Sequence, residues 1–296
     1  MKTWNEEENR KDNVLLQFQV ITDTHVMADS GHTHNLHLAA ALEDIKQMAP
    51  DSDGIMHVGD ITDHGHPEEY TEFLRIWREH GTGLPVSYFA SGNHDVGQGH
   101  WPTRLEAYLN AMNMSGPYHD HWVNGYHFIF LGTEQGLELF AHLSEAQLSW
   151  LDVKLTEGED PARPAFIFLH QPLKDTVAGS YESQQWYGVT QDEELKEVLS
   201  RHPNAFLFTG HTHWELEAGH TMFDGQQRLP YMFNAASVAY LWTDEDEHKD
   251  GSQGLFVEVY ADRVIVRGRD FAAGEWLKNA RFECMLPEQS ASQNSL

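Results

Sequence analysis

The chain has 296 residues, 40% of them hydrophobic and 11% aromatic, enough apolar material for a sizeable buried core. Its 46 acidic residues against 19 basic ones give a formal charge of -27, which argues against a nucleic-acid polymer or an anionic membrane as partner. The lone cysteine, Cys284, excludes an intramolecular disulfide and a thiolate metal cluster, and no run of about 20 apolar residues could span a bilayer, so the expectation is a soluble, cytoplasmic protein.

In chain order, an apolar strand is predicted at Val14 to Ile21 and a helix at Leu36 to Met48. A strand at Gly54 to Val58 and a helix at Pro67 to His80 follow, then a strand at Val86 to Ala90 and a helix at Arg104 to Met112. The alternation continues with Phe128 to Leu131, the helix Ser144 to Thr156, the strand Ala165 to Leu169, the helix Gln191 to His202 and the strand Ala205 to Thr209. Strand alternating with helix implies a largely parallel sheet covered by helices. Beyond Thr209 come strands without long helices, at Leu229 to Phe233, Gly254 to Tyr260 and Arg263 to Arg269, expected to add antiparallel pairing to a second sheet. Asp244 to Asp250 reads as a charged loop. No linker divides the chain, so residues 1–286 are expected to form one domain and 287–296 a polar tail.

Polar residues gather where the predicted strands end. They are Asp23-Thr24-His25, Gly59-Asp60-Ile61-Thr62-Asp63, Gly92-Asn93-His94-Asp95, His170, and Gly210-His211-Thr212-His213. Ligands of open α/β sheets collect at that rim, and one such cluster is commonly a turn or a helix cap. A whole series on one rim is not. Carboxylate, amide oxygen and imidazole together suit divalent ions such as Mn, Fe or Zn, and the candidates are too many for one tetrahedral site. Two metal ions are implied, placed to clamp the attacking and leaving oxygens of a displacement at phosphorus.

The tetrapeptide Gly-His-Thr-His occurs twice. His211 and His213 follow a buried strand and so stand on the rim with the other candidate ligands. His32 and His34 lie in a polar loop before a helix and are expected to be surface or capping residues.

This order of motifs, Asp-x-His, Gly-Asp-x-x-Asp, Gly-Asn-His-Asp, a lone His and Gly-His-x-His, resembles the calcineurin-like metallophosphoesterase superfamily from about Val14 to His213. The resemblance implies an α/β (α+β) fold, a four-layer αββα sandwich of two mixed central β-sheets flanked by helices. It implies one metal held by Asp23, His25, Asp60 and His213, and a second by Asp60, Asn93, His170 and His211, with attack by a hydroxide bridging the two. His94 would protonate the leaving oxygen and Asp63 would orient it.

Departures narrow the branch. The protein serine/threonine phosphatases carry Arg where this chain has His64 and Ser91, and purple acid phosphatases carry a Tyr ligand in place of Asp63. The motif string is most similar to the bacterial cyclic-nucleotide phosphodiesterase-like (class III) group. The implied activity is hydrolysis of small phosphodiesters such as cyclic nucleotides, the alternative being a phosphomonoesterase or nucleotide pyrophosphatase of the same superfamily. A non-catalytic scaffold is disfavoured, since every ligand and His94 are present. For substrate contacts the expectation rests on Asn93, His64, and Tyr181 and Trp186 in the segment 171–190, where aromatics could stack on a base. His119 and His121 read as flanking a turn at Asn124-Gly125.

Overall fold

The first strand sends Phe18 and Val20 to one side and Ile21 to the other, and both sides are buried. A strand covered on two faces must sit between two further layers. The structure, a computed structural model, describes residues 13–157 and 163–287. Residues 288–296, the expected polar tail apart from its first residue, lie outside the described residues.

The elements are, in order, β1 (Leu16–Ile21), α1 (Thr33–Met48), β2 (Gly54–Val58), α2 (Pro67–His80), β3 (Ser87–Ala90), the one-turn α3 (Asn93–Val96) and α4 (Trp101–Met112). Next are β4 (His119–Val123), β5 (Tyr126–Phe130), α5 (Glu145–Thr156), β6 (Phe166–Phe168), α6 (Asp192–Ser200) and β7 (Phe206–Thr209). The chain continues with β8 (Met222–Phe223), β9 (Tyr231–Asn234), β10 (Leu241–Trp242), β11 (His248–Lys249), β12 (Gln253–Val259), β13 (Arg263–Asp270) and β14 (Glu275–Met285). One sheet has the order β14-β13-β12-β1-β2-β3, the other β4-β5-β6-β7-β9-β8.

The two sheets meet through an aromatic layer. Phe130, Phe168, Phe208 and Phe233 stand in register on neighbouring strands of the second sheet, with consecutive ring centroids 4.7, 5.6 and 5.4 Å apart. From β1, Phe18 presents its edge to Phe128 and Phe166 at 5.1 and 4.9 Å. Outside the first sheet, Leu38, Leu42 and Ile45 of α1, Tyr70 and Phe73 of α2 and Tyr108 of α4 cover Ile21, Ile55 and Phe256. Outside the second, Leu151 of α5 and Leu195 and Leu199 of α6 cover Ile129, Ile167 and Leu207. The layers run helix, sheet, sheet, helix, as expected. Phe18→Ala is expected to lower unfolding free energy by about 3–5 kcal/mol in urea titration, because the rings around it cannot collapse into the hole.

Three local expectations change. Strands β12 to β14, each antiparallel to the one before it and β12 antiparallel to β1, extend the first sheet rather than the second. Residues His119 to Trp122 do flank the Asn124-Gly125 turn, but as part of β4, a strand whose polar alternation hides it; His119 Nε2 donates to the Phe89 carbonyl at 2.9 Å and ties the two sheet edges together. Strand β14 went unread because an outer strand carrying Lys278, Arg281 and Glu283 lacks a buried stripe; such charge is how sheet edges resist pairing.

Candidate metal centre

The ends of β1, β2, β3, β6 and β7 open on one rim, and each delivers a polar side chain there. Asp23, His25, Asp60, Asn93, His170 and His213 are all buried, and His211 is half-buried. Their backbone is unusual. Asp23, His25, Asp60, His211 and His213 have φ of 53°, 41°, 49°, 71° and 58°, a left-handed region that costs a side-chain-bearing residue about 1–3 kcal/mol where it is strained. Strain gathered at one rim indicates that these side chains are being aimed. The glycines of the motifs make room for the approach: a Cβ on Gly92 would overlap Asp60 Oδ1, and one on Gly210 would overlap Asp23 Oδ2.

The hydrogen bonds settle which imidazole nitrogens carry protons. His170 Nδ1 sits 2.8 Å from the Val58 carbonyl and His213 Nδ1 3.2 Å from the Tyr240 carbonyl, acceptors that require N–H. His25 Nδ1 is 3.0 Å from Asp63 Oδ1, an ionised acceptor. In its neutral form each ring then offers the Nε2 lone pair. Yet His25 Nε2 and His213 Nε2 face each other at 3.1 Å, His213 Nε2 lies 2.9 Å from Asp23 Oδ1, and His170 Nε2 lies 3.0 Å from Asp60 Oδ2. Asp23 Oδ1 and His170 Nε2 are buried without a hydrogen bond. Lone pairs turned on lone pairs and on carboxylates in a dry pocket need a cation between them.

The electrostatics express the same demand for positive charge: the carboxylates draw a second proton onto His25 and His170, which a bound cation would displace. Burial opposes charge on His25, but Asp23, Asp63 and Asp60 overcome it and raise its pKa to about 10. Burial likewise opposes charge on His170, while Asp60 and Asp23 bring it up to about 9. At His211, burial and the neighbouring His170 push the pKa down to about 3, leaving a neutral imidazole, the form that ligates metal. Three overlapping groups of possible ligand atoms result, Asp23 with His25 and His213, His25 with Asp60 and His94, and Asp60 with His170 and His211, each within 4.8 Å.

Asp63 has a divided role. It does hold His94, but through its backbone: His94 Nδ1 is 2.6 Å from the Asp63 carbonyl oxygen. The Asp63 carboxylate, expected to orient His94, instead sits on His25. A carboxylate on the far nitrogen of a ligating His fixes its ring and raises its basicity. Asp63→Asn is accordingly expected to weaken metal affinity about 10–100-fold in a chelator competition, leaving the His94 contact in place. Asp95, whose partner was undetermined by sequence, accepts from the N–H groups of Ile61, Thr62 and Gly92 at 3.2, 3.1 and 2.9 Å, clamping the second motif to the third.

With this geometry in hand, residues 16–215 match the calcineurin-like phosphoesterase family. The chain belongs to that family. It is a metal-dependent phosphoester hydrolase. A probable cyclic nucleotide phosphodiesterase of Synechococcus is 29% identical over 250 residues, covering 81% of this chain and 91% of the relative. The 3',5'-cyclic adenosine monophosphate phosphodiesterase of Haemophilus influenzae is 27% identical over 261 residues, covering 80% and 88%. Among solved structures, a dimetal phosphatase from Danio rerio aligns with TM-score 0.69 at 16% identity, covering 93% of this chain and 100% of that one, a likeness of fold.

Around the centre of this phosphoesterase, other expected contacts have different partners. Tyr181 and Trp186 pin their own segment. The Tyr181 hydroxyl donates to the Thr176 carbonyl at 3.2 Å, and the Trp186 indole donates to the Pro172 carbonyl at 3.1 Å, with Phe140 and Lys174 against its ring. His64 lies beside the rim, its Nδ1 2.8 Å from Glu69 and its Nε2 3.3 Å from Asp63 Oδ2. Asn93 donates to the Glu138 carbonyl at 2.8 Å, and its Oδ1 lies 3.3 Å from Gln171. His32 caps α1, accepting from the His34 N–H at 3.3 Å, while His34 Nδ1 reaches the His25 carbonyl at 3.0 Å.

Sequence reasoning missed Tyr240, whose carbonyl orients His213 and whose ring lies 4.3 Å from it. It also missed Trp214 and Trp242, which line a cavity beside His211. Trp214 directly follows the last motif and carried a signal; Tyr240 and Trp242 carried none.

Proposed function

We propose that this chain hydrolyses small phosphodiesters, 3',5'- or 2',3'-cyclic nucleotides foremost, at two divalent ions of manganese, iron or zinc. The observation that carries the reading is the set of facing lone pairs, His25 Nε2 to His213 Nε2 at 3.1 Å and His170 Nε2 to Asp60 Oδ2 at 3.0 Å. The names of the Synechococcus and Haemophilus relatives support the substrate class. Asp23, His25, Asp60 and His213 would hold one ion, and Asp60, Asn93, His170 and His211 the other. Bound there, the ions would polarise the phosphoryl oxygens and bring a water's pKa towards neutrality.

The remaining work falls to side chains. Asp60 Oδ1 accepts the His94 N–H at 2.8 Å, which turns Oδ2 towards His170. A ring nitrogen of His94 lies within 4.8 Å of ligand atoms of His25 and Asp60, and the Asp63 carbonyl holds the other edge of the ring. His94 is thereby placed to give a proton to the departing alkoxide. Since ligands come from strands of both sheets, residues up to 286 act as one unit. The formal charge of -27 supports a protein with neither an anionic membrane nor a nucleic-acid polymer as partner. No helix among the described residues is long and apolar enough to cross a membrane.

The test is a panel of a cyclic diester, a monoester and a pyrophosphate with manganese supplied. The cyclic diester is expected to turn over fastest. Faster release from the monoester or pyrophosphate would move the chain to the alternative activities, and no release with manganese bound would refute the hydrolase reading.

A further inference from the structure

A cavity of about 540 Å³ opens against His211, with Tyr187, Trp214 and Trp242 among its walls and Asp244, Glu245 and Asp246 along one side. Cavities of this size hold small organic ligands. The acidic residues form the tip of the β10–β11 hairpin, closed by Thr243 N–H to the Glu247 carbonyl and Asp246 N–H to the Thr243 carbonyl, both 3.0 Å. The hairpin is anchored to the metal centre itself: Trp242 N–H donates to the His213 carbonyl at 2.9 Å. The Gly219 N–H donates to Asp244 Oδ2 at 2.8 Å and holds the tip in place. Among the described residues, no lysine or arginine lines the cavity. Trp214 is 7% exposed, and its buried indole N–H has no hydrogen-bond partner among the described residues.

We propose that this cavity receives the organic part of the diester, and that its acidic side selects by charge, admitting uncharged or cationic groups and rejecting those with a second anion. The inference rests on the diesterase reading and specifies its substrate class. A nucleoside is neutral and presents a flat face to the tryptophans. An ammonium group gains from the carboxylates and from the partly exposed Trp242. A further phosphate or carboxylate would meet three like charges in a partly enclosed space with no cation of the protein to offset them. The metal centre binds the single reacting phosphate; the hairpin filters what is attached to it.

The experiment uses the manganese-loaded full chain and three derivatives of 3',5'-cyclic AMP. Each carries the same short alkyl chain on the adenine amino group, ended by an amine, a methyl ester or a carboxylate. The carboxylate is expected to have a kcat/KM about tenfold below the ester, mostly through KM, and the amine to match or exceed the ester. Raising ionic strength from about 0.05 to about 0.5 M should narrow the gap, since the Debye length shrinks below the width of the cavity. In the triple variant Asp244→Asn, Glu245→Gln, Asp246→Asn the gap should close to about twofold. The amides keep the shape, Asn at 246 tolerates the φ of 62° found there, and a thermal midpoint equal to wild type certifies the fold.

Equal kcat/KM for ester and carboxylate in the wild type, or a gap that survives in the folded triple variant, overturns the charge filter while leaving the diesterase reading standing. Hydrolysis of none of the three by protein with manganese bound overturns both.

Discussion

Replacing Asp60 with Asn is expected to cut diester hydrolysis by at least about a hundredfold and to take manganese content, measured by mass spectrometry of the metal, from about two ions per chain to one or fewer. The carboxylate has two oxygens in use. Oδ1 accepts the His94 N–H at 2.8 Å, while Oδ2 lies 3.0 Å from His170 Nε2 and 3.7 Å from His25 Nε2. An amide has one oxygen. Turned one way, its NH2 meets the His94 N–H donor to donor; turned the other, it occupies the side where a cation would sit. The substitution also removes an anion that holds up the pKa values of His25 and His170 against burial. Volume is unchanged, so the variant should fold, and a circular dichroism melt checks this. Full manganese content and wild-type rate in a folded Asp60→Asn protein would remove the basis for a shared ligand.

His94→Gln should separate chemistry from metal binding. Metal content is expected to stay at the wild-type level, while kcat for a cyclic nucleotide falls by about 10²–10⁴, the range for loss of a positioned acid. The loss should depend on the leaving group. A ribose alkoxide needs a proton as the P–O bond breaks, whereas a nitrophenolate leaves unaided, so hydrolysis of a bis(nitrophenyl) diester should fall far less. The structural reason is that His94 is half-buried and held by the Asp63 carbonyl at 2.6 Å; it approaches His25 and Asp60 but neither Asp23 with His213 nor His170 with His211. An equal loss on both substrates would contradict its role as proton donor and point to loss of phosphate binding.

Much of the centre was legible because strand ends are punctuated in sequence. Short apolar runs broken by Asp-Thr-His, Gly-Asp and Gly-Asn-His mark where β1, β2 and β3 stop, and a parallel sheet carries all such stops to one rim. The two copies of Gly-His-Thr-His differ in the same way. His211 and His213 follow β7, whereas His32 precedes α1 and caps it. Reading failed where partners are distant and the local pattern is polar. β4 and β14 have no buried stripe to announce them, and the hydrogen bonds that tie Tyr181 and Trp186 to their own segment leave no local pattern.

What the sequence by itself determined is the kind and order of the metal-binding groups, because donor chemistry belongs to the residue and their common rim follows from strand direction. Only the tertiary structure decided how each group is used. That the Asp63 carboxylate serves His25 while its carbonyl serves His94, and that an acidic hairpin more than 200 residues from Asp23 stands over His211, depends on contacts between segments far apart in the chain. Such contacts are set by how two sheets pack across a shared aromatic layer, and no local run of residues encodes that packing.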